Sequence, residues 1–421
     1  MKEKIKKIIG EKRIALIRAN IMLIKTKIMY RNKIKTEINK NEIMCINVFE
    51  QKNKNVFFGY YDLKQIKEDK MLVHVSNKNA NTKTDLVEIG YYNLKNNKYN
   101  FITTSRAWCW QQGSRLRWSK HENTIFFNDI NEDRYCTKKY DILNKKVLDI
   151  IEYPLYDIDK EESYGISINF SRLQRLRPGY GYNALKENNK MEKAPKNDGI
   201  YIVDIENKER KILMSLYELS KKNDKELEYY HYINHVSISP SGEKIMFFHI
   251  WTNERGNNRK TELCIINKNG EEFEVLEEKL LVSHYTWIND DELLVTAVDT
   301  LKNKCNYIKY NIGRKSKSII EDDNLKEDGH PTYLNSNVFI SDTYPDIMSN
   351  QKVFSYDVNN NKYTQLIKIY ANPMLYNEQR CDLHPRVDIK DKRICIDTTF
   401  VKKKRSIILI NLKIDGENNG K

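Results

Sequence analysis

Four histidines, His235, His284, His330 and His384, each open an apolar strand in the second half of this chain. The last lies in NEQRCDLHPR, where Gln379, Asp382 and His384 follow the spacing Gln-x-x-Asp-x-His. That spacing offers an amide oxygen, a carboxylate and an imidazole. Residues 382 and 384 share a face of an extended chain, because side-chain direction has period two. With His284 from a neighbouring inner strand they form a mixed nitrogen and oxygen set suited to a divalent ion such as Mn²⁺, water or substrate completing an octahedral shell. No cysteine is placed to join them, which argues against zinc. The competing reading is that the same groups only tie strands together by hydrogen bonds.

Whether the histidines meet depends on the elements that carry them. The units read HVSISPSGEKIMFF from His235, HYTWINDDELLVTA from His284, HPTYLNSNVFISDT from His330 and HPRVDIKDKRICID from His384, at intervals of 49, 46 and 54 residues. That period belongs to architectures with four strands per repeat. Three weaker units precede them: VFFGYYDL with MLVHVS, then LVEIGYYNL through TIFFND, then KKYDIL through YGISINF. The expected fold is an all-β, seven-bladed β-propeller over residues 46–415, with a six-bladed ring as the alternative. A basic helical extension over residues 1–45 precedes it. The strand SIILINL, Ser406 to Leu412, is expected to close the ring on the first unit and so remove the open sheet edge. Radial symmetry then brings the histidines to one axis. The excursion Ser171 to Asp198 interrupts the period and is expected to project over one mouth of the ring. Ser220 to Tyr230 is charged and is expected to be helical or mobile.

The chain has 421 residues and a net charge of +14. Residues 1–40 hold 13 Lys and Arg against 3 Glu, so basicity belongs mostly to the N-terminal segment. With no glycine-rich phosphate cradle and no dense arginine stripe elsewhere, nucleic acid is not an expected partner. Seven cysteines without a CxxC pair read as reduced thiols in a cytoplasmic protein. Arg13 and Arg18 interrupt the apolar residues near the N-terminus, so neither a signal-peptide core nor a membrane span is expected. Ile5, Ile8, Ile9, Leu16, Ile24 and Ile28 still recur at broadly helical spacing among lysines. Such a helix suits peripheral contact of residues 1–40 with an anionic membrane; the alternative is a helix packed on the propeller, or a frayed tail.

The segments SHYTWINDDELLVTA, NHVSISPSGEKIMFFH and EQRCDLHPRVDIKDKRICID resemble those of the oligogalacturonate lyase family, over roughly residues 199–400. The resemblance implies a seven-bladed propeller with a manganese site acting on an acidic oligosaccharide. Three histidines and a glutamine hold the metal in that family; by motif they fall here on His284, Gln379, Asp382 and His384. Asp382 stands where the family has histidine, which keeps a ligand but hardens it. The resemblance also implies β-elimination at a uronate. The metal polarises the carboxylate and a histidine in the position of His235 assists proton transfer. An arginine expected near residue 198 is replaced by Asp198 and Gly199, so Arg172 and Arg175 of the excursion are the substitute catalytic candidates and Arg177 a substrate contact. Trp110 and Gln112, within AWCWQQGSRLRW, and His330 are further expected substrate contacts. His74, His121 and His249 are given no role. The competing expectation is a non-catalytic propeller that binds glycans or proteins in cell-surface polysaccharide metabolism.

Overall fold

The computed structural model describes residues 11–28, 36–222, 228–254, 256, 258–400 and 404–413. Seven antiparallel sheets are arranged as the blades of a propeller. Five blades, 1 to 5, are consecutive runs opened by the innermost strand: Lys54–Phe57 opens blade 1, Leu155–Ile158 blade 3, Tyr230–Ile238 blade 4 and Leu281–Trp287 blade 5. Blade 2 opens at Arg117–Trp118, blade 6 at Thr332–Tyr333 and blade 7 at Arg386–Asp388. The blade count therefore agrees with the spacing of the histidine units. Alternating apolar residues supply the packing: Leu293, Val295 and Ala297 of blade 5 and Ile245 and Phe247 of blade 4 belong to one buried cluster. Each fully buried valine, leucine, isoleucine or phenylalanine side chain contributes about 1.5–3 kcal/mol.

Closure differs from the sequence expectation. Ser406–Leu412 does not join blade 1, which already has its four strands. It is the third strand of blade 7, pairing with Arg393–Thr398 on one side. Its other edge takes Ile43–Phe49, with Ile43 opposite Leu412 and Phe49 opposite Ile407. The N-terminal strand thus completes the last blade, and Glu37–Ile38 adds a short outer strand to blade 6. Residues 37–45, read from the sequence as extension, belong to the propeller. The first three units also shift register: the run read as one unit from residue 85 to 129 contains the outer half of blade 1 and the inner half of blade 2.

Three helices decorate the ring: α1 (Glu11–Ile28), α2 (Phe170–Leu176) and α3 (Leu216–Lys221). Ser215 and Glu218 form a capping box on α3, and residues 223–227, within the second charged interruption, lie outside the described residues. Helix α2 begins the long excursion, which connects two strands of blade 3 (Tyr164–Ser167 and Gly199–Asp204). All seven cysteines are free thiols, and burial pushes Cys109, Cys136, Cys381 and Cys395 up to about 12.

His74 lies inside blade 1, its Nδ1 2.8 Å from the Phe58 carbonyl and its Nε2 2.8 Å from the Ser114 hydroxyl. Burial lowers its pKa from 6.5 to about 4. The unfolded chain takes up a proton near pH 6.5 while the folded one does not until about pH 4, so acid favours unfolding across that window. The expected loss is about 3 kcal/mol between those pH values. Urea denaturation as a function of pH checks this: the acid slope should flatten in His74→Gln, and an unchanged slope would assign it to other groups.

Candidate functional site

Four blades each deliver one histidine to the axis. His235 and His284 sit within the inner strands of blades 4 and 5, each at a register shift of the ladder. His330 and His384 stand just ahead of the inner strands of blades 6 and 7. The rings follow one another with centroid separations of 5.9 Å (His235 to His284), 4.0 Å (His284 to His330) and 4.3 Å (His330 to His384). All four are buried. His235 and His384 have left-handed backbone, φ 53° and 46°, a conformation that costs a non-glycine residue about 1–3 kcal/mol and concentrates at functional sites.

Three of the rings are anchored through the same nitrogen. His284 Nδ1 donates to Asp328 at 3.0 Å, His330 Nδ1 to Asp342 at 2.8 Å, and His384 Nδ1 to the Gly59 carbonyl at 2.8 Å. An acceptor at Nδ1 fixes the tautomer and leaves Nε2 as the open nitrogen. Nε2 of His330 and of His384 is buried with no hydrogen-bond partner. Burying a polar atom without a partner is unfavourable, so two such atoms facing one centre fit a ligand. Ligand atoms of His330, Asp382 and His384 all lie within 4.8 Å of one another. The donor set, imidazole nitrogens beside a carboxylate, fits a divalent ion of the manganese type.

The electrostatics keep His284, His384, Asp328 and Asp382 in the forms that accept a cation, while His330 is held toward its protonated form. Burial, reinforced by neighbouring His330, holds His284 and His384 below the ordinary histidine range. Burial works the same way on His330, but the Asp342 carboxylate outweighs it and raises that group. Asp328 accepts from Ser283 at 2.6 Å and Thr296 at 2.7 Å as well as from His284, and against the effect of burial these donors keep it ionised. Asp382 would be raised by burial, yet Arg380 lowers it through Nε and Nη2, at 2.7 and 2.6 Å.

His235 is arranged differently. Its ring stacks on Tyr60 at 5.3 Å and meets Phe248 edge-on at 4.9 Å. Nε2 lies 3.4 Å from the Tyr60 hydroxyl, and Nδ1 is buried with no partner. Burial, helped by His284 and Arg177, holds its pKa well below 6.5. Neutral imidazole is the form that can accept a proton.

Two of the tyrosines around the histidines, Tyr60 and Tyr61, come from blade 1, in the connection Phe58 to Asp62. Asp397 of blade 7 accepts from the Phe58 and Gly59 amides, and Arg386 ties Asp397 (2.8 Å) to the His384 carbonyl (2.6 Å). Asp62 forms a two-pronged pair with Arg115, at 3.1 and 2.9 Å. Between these clamps Tyr61 reaches blade 5, where its hydroxyl donates to the Tyr285 carbonyl (2.9 Å) and accepts from the Tyr285 amide (2.8 Å). Gly59 is required here. Its φ is +125°, and a Cβ would lie 2.8 Å from the Gln112 carbonyl carbon. Gly59→Ala should cost about 2–4 kcal/mol and displace the carbonyl that orients His384. Chemical denaturation and metal titration read both effects; a variant as stable as the parent would contradict this role for Gly59.

The other residues picked out in sequence are distributed unevenly. Arg172 is buried as an internal tie: it donates to the His231 carbonyl at 2.6 Å and to the Glu192 and Lys193 carbonyls, and pairs with Glu187. Arg175 pairs with the same Glu187 at 2.5 Å and lies over the Tyr230 ring. Both fasten the excursion to blade 4. Arg177 lies over the Tyr180 ring at 5.0 Å, and Tyr180 contacts both Tyr60 and His235, so the excursion does reach the axis. Trp110 is buried against Phe57 and Trp108 under the Arg405 guanidinium, a core position. Gln112 is buried and donates to the Tyr156 hydroxyl at 2.8 Å. Gln379 ends a one-turn 3₁₀ helix, Asn377–Gln379, and its carbonyl accepts from Arg405. His330, expected from sequence to touch substrate, stands at the centre of the imidazole cluster.

Sequence reasoning passed over Arg259, Arg380, Tyr60 and Tyr344. Arg259 lies near Arg177: burial first, then the Arg177 charge, lowers Arg259. Arg259 Nε is buried without a partner. Arg380 lies over the Tyr344 ring at 5.1 Å, and Tyr344 meets His330 at 5.7 Å. Three half-buried guanidiniums thus stand around the histidine floor, and only Arg380 is paired with a described carboxylate there.

Solved structures show which fold this chain shares. An oligogalacturonate lyase in complex with manganese superposes with a TM-score of 0.61, covering 90% of this chain and 98% of that one at 10% identity. An oligogalacturonate lyase from Vibrio parahaemolyticus gives 0.63, with 90% and 96% coverage at 12% identity. The chain has the oligogalacturonate lyase fold. No family model matches the sequence, and no curated protein matches it. At such identities the likeness concerns the seven-bladed fold shared with the oligogalacturonate lyases, and the chemistry rests on the side chains of this chain.

Proposed function

We propose that this propeller is a metal-dependent, oligogalacturonate lyase-like enzyme that cleaves uronate-containing oligosaccharides by β-elimination. The observation that carries the proposal is the pair of buried, unpartnered Nε2 atoms of His330 and His384 beside Asp382, with the neutral His235 on the same axis. His284, His330, His384 and Asp382 would hold the ion, a set that replaces Gln379 by His330 as the better-supported ligand. When bound, a divalent ion withdraws electrons from a carboxylate and acidifies the proton α to it.

The remaining work falls to the protein. With Nε2–H donating to the Tyr60 hydroxyl, the Nδ1 lone pair of His235 is free to take the α proton. As the C–H bond breaks, its electrons form the C=C bond and the glycosidic C–O bond cleaves. The departing oxygen takes its proton from solvent at the mouth. Arg177 and Arg259 orient anionic groups of the sugar chain, since planar guanidiniums suit carboxylates. The free thiols suit a reducing compartment, in keeping with a cytoplasmic location, and no described helix is long and apolar enough to cross a membrane.

The test is incubation with oligogalacturonides and Mn²⁺, followed by ultraviolet absorbance of the conjugated C=C in the product. Metal-dependent growth of that band is expected. Thermal stabilisation by the metal with no band would overturn the lyase reading and favour a glycan-binding propeller.

A further inference from the structure

We propose that helix α1 docks the rim of the propeller onto an anionic lipid bilayer through a stripe of isoleucines that faces away from the ring. Helix α1 is apolar on two opposite sides. One side is seated: Ala19 is 7% exposed, and with Arg18 and Met22 it lines a cavity of about 300 Å³ against Pro345, Leu375 and Tyr376. The same cavity is bordered by Arg380, so α1 rests on the rim that carries Arg380 and Tyr344. The other side is Ile17, Ile21 and Ile24, spaced i, i+4 and i+7, which puts them in one row opposite Ala19. Their exposures are 48, 48 and 54%. Three large β-branched side chains left half in water on one row mark a surface that something covers.

Charge identifies the cover. Residues 1–40 carry 13 Lys and Arg against 3 Glu. A second copy of the chain would bring an equally basic segment against the first and be repelled, whereas anionic headgroups attract it. No described helix can span a bilayer, so the contact is with its surface, the isoleucines entering the headgroup boundary and the lysines staying among phosphates. The consequence for function is placement: the mouth of the ring is held beside the membrane, where an acidic polymer at the cell envelope would be met.

The test uses the full chain and sedimentation with vesicles of phosphatidylcholine alone or mixed with phosphatidylglycerol. Binding is expected only to the anionic vesicles, weakening as salt is raised. The variant Ile17→Gln/Ile21→Gln/Ile24→Gln leaves net charge unchanged and should lower the bound fraction by about tenfold or more, with the melting temperature of the propeller unaltered. Absence of binding to anionic vesicles overturns the proposal. So does a triple variant that binds as well as the parent, which would make the attachment purely electrostatic. A parent that is dimeric in solution and becomes monomeric in the triple variant overturns it as well, because the stripe would then be covered by a second copy.

Discussion

His235→Asn should abolish turnover while leaving the metal bound. The expected fall in kcat is about 100- to 10,000-fold, the range that a positioned base contributes. Asparagine is the informative replacement because it tolerates the left-handed backbone that residue 235 adopts, φ 53°, where alanine would add strain to the loss of the imidazole. Product formation under saturating metal measures the first effect, and metal-induced stabilisation of the same variant measures the second. The two readouts separate a base from a ligand. Burial and the neighbouring His284 and Arg177 hold His235 well below 6.5, so at saturating metal His235 should not limit the parent's kcat as pH falls through 6.5, and its protonation should tell only in more acid solution. A variant that turns over at the parental rate would remove His235 from the chemistry.

His330→Ala should show the reverse pattern, losing metal and activity together. The ring sits between His284 and His384 at 4.0 and 4.3 Å, so its removal takes away the central imidazole. A ligand loss of this kind should weaken affinity by about 100-fold or more. Metal at about 1,000 times Kd stabilises the folded state by about 4 kcal/mol, and a 100-fold weaker affinity removes about 2.7 kcal/mol of that. Differential melting with and without Mn²⁺ reads the change, with the metal-free melting temperatures of parent and variant as the folding control. Equal stabilisation of both by metal would exclude His330 as a ligand and return the choice to Gln379.

The legible part of this protein was its period. His235, His284, His330 and His384 recur at the inner strands of successive blades, two within them and two just ahead, so their recurrence in sequence follows the blade period, and radial symmetry does the rest. What escaped is what symmetry does not govern. Tyr60 and Tyr61 reach the centre through a connection clamped by Asp397 and Asp62, and nothing in VFFGYYDL shows that it crosses to blade 5. Arg259 stands in a connection between strands of blade 4, a place that pattern cannot distinguish from a solvated loop. Arg380 was visible in NEQRCDLHPR, two residues before Asp382, and its spacing matches the pair it forms. Arg172 misled because a basic, irregular segment reads as accessible; in the fold its guanidinium is spent on carbonyls and Glu187. The closing strand was misassigned for a related reason: SIILINL could pair with any unfilled edge, and only the fold shows that Ile43–Phe49 supplies the missing strand.

Anomalous diffraction at the manganese edge from crystals grown with Mn²⁺ tests the metal centre most directly. A single strong peak is expected on the axis, about 2–2.5 Å from Nε2 of His330 and His384 and from a carboxylate oxygen of Asp382, with His284 completing the imidazole set. Crystals with full-occupancy protein and no peak within reach of those atoms would contradict the account.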